Sequence, residues 1–167
     1  EDQDMFRLSG IFRDVYLLRR SPVHFRDFYL KDVFNGSLED VTLKADVQVR
    51  NLDRKSQTGC SVAVSLLSPD GKKIVEKSAE VASLARKATG TVTVEFPDLS
   101  PELWTAEKPV LYTVVMELKD KAGKVIEATY AQHGFRKVEI RGKRAYINDK
   151  QVFFKGVNRH DTHPVLG

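Results

Sequence analysis

The chain has 167 residues, 41% of them hydrophobic and 30% charged, which suits one well-buried globular domain and excludes a disordered polymer. No run approaches the roughly 18 apolar residues of a membrane-spanning helix. The net charge of +4 is spread among nearly as many acids as bases, without the basic stripe of a nucleic-acid binder.

Strand signals dominate in chain order. After an apolar stretch at residues 11–18 and another at 24–30, residues 41–50 alternate almost without error. Val41, Leu43, Ala45, Val47 and Val49 share one face, and Thr42, Lys44, Asp46, Gln48 and Arg50 share the other. Period-2 alternation of this kind predicts a strand with one face on a core. The same pattern recurs at Val62, Val64 and Leu66, at Val92, Val94 and Phe96, and at Tyr112, Val114, Met116 and Leu118. Further strands are predicted over 73–78, 125–132 and 135–140, and residues 81–87 are the one segment that suits a helical turn.

Turn chemistry separates these runs. Ser68-Pro69-Asp70-Gly71 combines a fixed proline φ with a glycine free to take positive φ, and Asp120 to Gly123 and Ile147 to Lys150 have the composition of hairpin connections. Strands about every ten residues with little helix predict an all-β fold, an immunoglobulin-like antiparallel β-sandwich of about seven strands with flanking extended segments. Its core spans residues 21–140. The lone Cys60 lies beside an alternating apolar run and is read as a small buried residue. The absence of a possible internal disulfide is compatible with a reducing compartment and with the periplasm. The chain starts at Glu1 without an initiator Met and stops at Gly167 after a polar stretch, which predicts an excised piece of a longer protein.

Three constellations can carry chemistry. In Glu1-Asp2-Gln3-Asp4 an extended backbone projects Asp2 and Asp4 to one face, a spacing suited to a hard cation or sugar hydroxyls, although composition alone favours a solvated acidic terminus. Asn158-Arg159-His160-Asp161-Thr162-His163-Pro164 follows the apolar Val152-Phe153-Phe154. A buried strand that opens into a polar loop is how barrel enzymes present functional groups, yet an ordinary loop is the commoner outcome. Zinc is disfavoured there, because His160 and His163 lack the helical spacing of zinc motifs. Trp104, near Pro101 and Glu102, suits a packing anchor better than a sugar platform.

Three segments together resemble the β-galactosidases of glycoside hydrolase family 2. Glu1-Asp2-Gln3-Asp4-Met5-Phe6-Arg7-Leu8-Ser9-Gly10-Ile11-Phe12-Arg13-Asp14-Val15 looks like the end of the family's N-terminal sugar-binding jelly roll. Trp104-Thr105-Ala106-Glu107-Lys108-Pro109-Val110-Leu111-Tyr112, followed by Gly134-Phe135-Arg136, looks like its immunoglobulin-like domain. Asn148-Asp149-Lys150-Gln151-Val152-Phe153-Phe154-Lys155-Gly156-Val157-Asn158-Arg159-His160-Asp161-Thr162-His163-Pro164 looks like the entry into its catalytic TIM barrel. The family often has Trp where Phe6 stands and His where Thr162 stands.

The resemblance implies three parts: residues 1–20 as the tail of the jelly roll, 21–140 as the sandwich, and 141–167 as the lead-in to a barrel. It implies that Asp4 reaches the galactose pocket and helps to bind sodium, that His160 lines the pocket, and that magnesium sits near an acid/base glutamate elsewhere in the parent enzyme. It further implies a β-galactoside substrate, contacts with the enzyme's own jelly-roll and barrel domains, and a parent compatible with homo-oligomers. A retaining glycosidase needs two carboxylates about 5–5.5 Å apart. Asp46, Asp53, Asp70, Glu76, Glu95 and Glu117 all fall on predicted solvent faces or turns, so no catalytic residue is expected in this chain. The alternative is a free-standing carbohydrate-binding or adhesion sandwich. Within the family, β-glucuronidase and β-mannosidase compete, and the Asp2–Asp4 and 158–164 segments favour galactosidase.

Overall fold

The computed structural model describes residue 11 and residues 13–158. It divides into two compact units, one of Glu1–Arg19 with Phe154–Gly167 and one of Arg20–Phe153. The larger unit holds ten strands: β1 Val23–Phe34, β2 Val41–Asn51, β3 Ser61–Leu67, β4 Lys73–Glu80, β5 Thr89–Leu99, β6 Tyr112–Lys119, β7 Val125–His133, β8 Val138–Arg141, β9 Arg144–Ile147 and β10 Lys150–Val152. Strands β1 to β7 form two antiparallel sheets, ordered β1-β2-β5 and β4-β3-β6-β7, the immunoglobulin-like sandwich expected from the alternation. Strands β8 to β10 form a separate antiparallel sheet in the order β10-β9-β8.

The core lies between the central strands of the two larger sheets. Val41, Leu43, Ala45, Val47 and Val49 of β2 are all 0% exposed, as are Val62 and Val64 of β3 and Val114, Met116 and Leu118 of β6. Each of these Val, Leu and Met side chains contributes roughly 1.5–3 kcal/mol by leaving water. A slip of one residue in β2 would turn all five outward, so burial itself sets the register. Phe96, Phe135 and Leu66 complete the layer.

Turns form where their residues demand them. Gly71 takes φ +83° and donates its N–H to Ser68 O at 2.8 Å, and Gly123, at φ +78°, donates to Asp120 O at 2.9 Å. Between β9 and β10, Asn148 and Asp149 both adopt positive φ, the backbone of a two-residue primed turn. In β5, Pro97 and Asp98 together oppose the single residue Thr42. Pro97 therefore sits at a bulge, where a missing N–H costs no ladder bond.

Three segments depart from the sequence expectations. The predicted helical turn at 81–87 does not form: Val81 and Leu84 are buried, Leu84 bridges Gln57, and the segment ends in a tight turn in which Ala88 N–H donates to Ala85 O at 3.0 Å with Lys87 at φ +61°. Two of its carbonyls are taken by Asn51, a fully buried residue whose Nδ2 donates to Leu84 O at 3.0 Å and Ala85 O at 3.2 Å, and also to Lys55 O of the neighbouring loop at 2.9 Å, so no helical ladder forms. The strand expected at 135–140 begins only at Val138, because Phe135 O, Arg136 N–H and Lys137 N–H are engaged by Trp104, Asp32 and Asn148. The strand expected at 11–18 is absent from described residues 11 and 13–18; a strand needs a ladder partner, and these residues join no sheet.

Leu43→Ala removes a fully buried side chain from the centre of the layer. It is expected to cost about 2–5 kcal/mol in urea unfolding, whereas Tyr130→Ala, on an exposed position of β7, should stay within about 0.5 kcal/mol. Equal effects at the two positions would contradict this placement of the core.

Candidate functional site

The described residues concentrate their polar chemistry along the seam between edge strands β1 and β7 and at the end of the sandwich that carries the β8–β10 sheet. On the seam, Glu127 of β7 accepts hydrogen bonds from Arg20 Nε at 2.8 Å and Nη2 at 2.6 Å, and its other oxygen accepts the Phe25 N–H at 2.6 Å. This contact falls beside the β1 bulge between Phe25 and Asp27. At the far end of the seam, Asp32 Oδ1 accepts from His133 Nε2 at 2.7 Å and Oδ2 accepts the Arg136 N–H at 3.1 Å. An ionised carboxylate only accepts, which makes the imidazole nitrogen facing it a donor. The His133 ring meets Phe135 edge-on at 4.8 Å, and Phe135 meets Tyr112 edge-on at 5.1 Å. The half-buried pair is thus held from its apolar side as well.

Asp32, His133 and Arg136 border a shallow cleft of about 420 Å³ with Tyr29, Lys31 and Val138. Among its described lining residues Asp32 is the single carboxylate, and both its oxygens are already occupied. Retaining glycoside hydrolysis requires two carboxylates facing one bond, so this cleft does not have that geometry.

The acids singled out in the sequence are held in local pairs. Asp46 accepts from Thr93, Glu95 from Lys44, and Asp53 from the Arg54 N–H and Gln57. Glu117 pairs with Lys119. Glu76 is held below the usual carboxyl range by hydrogen bonds from Lys73 and Ser65, and Asp70 likewise by Lys72 and Ser68. A general acid needs the opposite shift, a carboxyl raised towards neutrality by burial. Cys60 is buried as expected, and burial followed by the nearby Asp120 carboxylate pushes its thiol up, away from reactivity. Among the described residues, no group of three or more His, Cys, Asp or Glu side chains could hold a metal ion. Asp4 and His160 lie outside the described residues.

Trp104 is a packing anchor. A Cβ on Gly134 would sit 2.8 Å from Trp104 Cδ1, so only glycine admits the indole this close. Arg136 stacks its guanidinium 5.0 Å above the ring. The Trp104 N–H donates to Phe135 O at 2.8 Å, and its carbonyl accepts from Asn148 Nδ2 at 3.0 Å. Asn148 also exchanges hydrogen bonds with Lys137: its N–H donates to Lys137 O at 2.9 Å, and its Oδ1 accepts the Lys137 N–H at 3.0 Å. One turn residue, nearly buried and at φ +49°, therefore ties the β8–β10 sheet to the loop that packs on the sandwich.

The same sheet has a polar face bound by its own charges. Glu139 and Asp149 both pair with Arg141 and with Lys137, Arg141 lies 4.8 Å over the Tyr146 ring, and Arg144 donates to Gln151. Arg141, then Lys137, hold the Glu139 and Asp149 carboxyls below their ordinary range. Their contribution is therefore present above about pH 4 and is lost as pH falls through the lowered values. These groups are exposed, so the effect is small and weakened by salt.

This arrangement, a sandwich with a small sheet locked to one end, matches known proteins. The family model described as glycosyl hydrolases family 2 covers residues 23–136, and the family's TIM barrel domain model covers 138–167. The chain belongs to glycosyl hydrolases family 2. A β-galactosidase from Priestia megaterium is 35% identical over all 167 residues, which make up 16% of that relative. A β-glucuronidase from Bacteroides uniformis superposes with a TM-score of 0.70 at 25% identity, covering 83% of this chain and 17% of that one. A putative β-galactosidase from Bacteroides fragilis does so with a TM-score of 0.62 at 25% identity, covering 75% and 18%. The chain thus spans about a sixth of the length of these family members.

Replacing Asn148 by Gly keeps the positive φ but removes both side-chain bonds, to Lys137 and Trp104. At roughly 0.5–1.5 kcal/mol per bond, the opening free energy of β9 and β10 amides should fall by about 1–3 kcal/mol in hydrogen exchange, while β2 and β6 amides stay unchanged. Uniform loss across both sheets, or none, would contradict the latch.

Proposed function

We propose that this chain is the sandwich scaffold of a retaining β-galactosidase that hydrolyses terminal β-D-galactosides, and that the chain alone is inactive. The single observation that carries the reading is the 35% identity, over its entire length, to a protein named β-galactosidase. In this reading residues 1–20 are the tail of a sugar-binding jelly roll, 21–140 the sandwich and 141–167 the lead-in to the barrel. The barrel-domain match at 138–167 favours it over a free-standing binding module. The acid/base and nucleophilic glutamates then belong to parts of the parent outside this chain, and the reaction is double displacement with retention.

Two residues of this chain would take part. The Asp4 carboxylate would accept hydrogen bonds from vicinal sugar hydroxyls and supply one oxygen to a sodium ion. The His160 imidazole would donate to a sugar oxygen as charge develops in the transition state. One carboxylate fills only one position of a cation's shell, so the remaining sodium ligands, and all those for magnesium, would come from elsewhere in the parent.

The Bacteroides uniformis β-glucuronidase supports a second reading, in which the sugar carries a carboxylate. Aryl β-galactoside and aryl β-glucuronide, offered to the full-length parent and to the 167-residue chain, separate the two. The expected result is turnover of the galactoside by the parent, none by the chain, and a loss of at least tenfold in kcat/KM on His160→Ala. Preference for the glucuronide would transfer the assignment to the second reading, and turnover by the chain alone would overturn the scaffold role.

A further inference from the structure

The turn between β1 and β2, residues 35–40, carries chemistry of its own. Of the four asparagines in the chain, Asn35 alone is followed by glycine. Both residues are exposed, and a Cβ built on Gly36, at φ +94°, would meet nothing within 4 Å. Succinimide formation needs the next residue's backbone nitrogen to reach the asparagine Cγ, and a side chain on that residue ordinarily blocks the approach. Among the described residues nothing accepts the Gly36 N–H, whereas the Asn35 N–H is held by Asp40 O at 2.9 Å. The Asn35 Nδ2 donates to Asp40 Oδ1 and to Thr42 Oγ1, both at 3.1 Å. Those two bonds fasten the turn to the end of the β1–β2 ladder, where Phe34 pairs with Val41 and Val33 with Thr42.

We propose that Asn35-Gly36 is a self-modification site whose product releases this turn. The Gly36 nitrogen attacks Asn35 Cγ. The new N–C bond closes a cyclic imide, the Cγ–Nδ2 bond breaks, and the Gly36 proton leaves with Nδ2 as ammonia. Water then adds to either imide carbonyl, giving aspartate by one opening and isoaspartate by the other. No oxidant, reductant or cofactor is consumed. Asn51 and Asn148 lack this route, because both are buried, both commit their side chains to backbone groups, and Leu52 and Asp149 follow them. The product matters because of what Asn35 touches. A carboxylate at position 35 has no N–H to give Asp40 or Thr42, and it faces the Asp40 carboxylate across a former hydrogen bond. Ionised carboxylates only accept, and like charges that close repel. Isoaspartate also lengthens the backbone beside the Phe34–Val41 pair. The site is therefore a one-way change from a fastened turn to a released one.

The test incubates the full-length protein at neutral pH beside a synthetic peptide of residues 32–44 with blocked ends. Trypsin releases the same segment from the protein, between Lys31 and Lys44, and it contains no other side-chain amide. Mass spectrometry reads the replacement of amide by carboxyl, and an isoaspartyl methyltransferase reads the isoaspartate. Because the turn reacts without unfolding, the rate in the protein is expected within about tenfold of the peptide rate, with isoaspartate formed and Asn51 and Asn148 unchanged over the same period. A slower rate, or carboxyl formed without isoaspartate, overturns the proposal. The release is read on Asn35→Asp at low salt. Hydrogen exchange of the amides at 33–42 should accelerate about fivefold, with β6 amides unchanged. Adding Asp40→Asn sets an amide donor opposite the new carboxylate and should restore the original rate. Unchanged exchange in Asn35→Asp, or no recovery in the double variant, overturns the release.

Discussion

Everything else in this fold hangs on a layer of aliphatic side chains one residue wide in register. The five inward residues of β2 are completely removed from water by β3 and β6, and their spacing leaves no alternative pairing that keeps them buried. Once β2 is fixed, β1 and β5 are fixed as its neighbours, and β3 and β6 as the sheet it faces. Asn51, at the end of β2, extends the same constraint into the loops. Its amide collects three carbonyls from two separate segments, leaving those loops a single compatible path.

The polar groups act at the boundaries of this layer. Glu127 and Asp32 close the seam where β1 and β7 approach, each using both carboxylate oxygens. At the end of the sandwich, Trp104 and Asn148 transfer that rigidity to the small sheet. The order matters for an enzyme scaffold: the core fixes strands, the strands fix Phe135 and Gly134, these seat Trp104, and Trp104 holds Asn148. A chain continuing from β10 starts from a position defined by the core.

Much of this architecture is legible in the sequence, because a two-residue period reports burial directly. The strands at 41–50 and 112–118, the turn at Ser68 to Gly71 and the buried Cys60 all follow from local pattern. The features that escape it depend on partners distant in the chain. Val81 and Leu84 have helix-like spacing, but Asn51, more than thirty residues away, takes the carbonyls a helix would use. Residues 135–137 read as strand until Trp104, Asp32 and Asn148 claim their backbone. The Asn148-Asp149 turn is visible as a hairpin signal, but its bond to Trp104 spans 44 residues and has no local signature. For Asp4 and His160 the legible signal is a resemblance in motif, and both lie outside the described residues.

The division of labour that follows is physical. The described residues supply a packed body in which the carboxylates singled out from the sequence are held by lysines, hydroxyls and amides, and in the proposed reading the chemistry belongs to other parts of a family-2 enzyme. That account requires the sandwich to be a stable body in its own right. Native-state hydrogen exchange on the isolated 167-residue chain measures this most directly. The account predicts that amides of β2, β3 and β6 exchange slowest and with one common free energy, the global unfolding of the sandwich. Rapid exchange throughout these three strands would contradict it, because the core would then depend on the rest of the enzyme to exist.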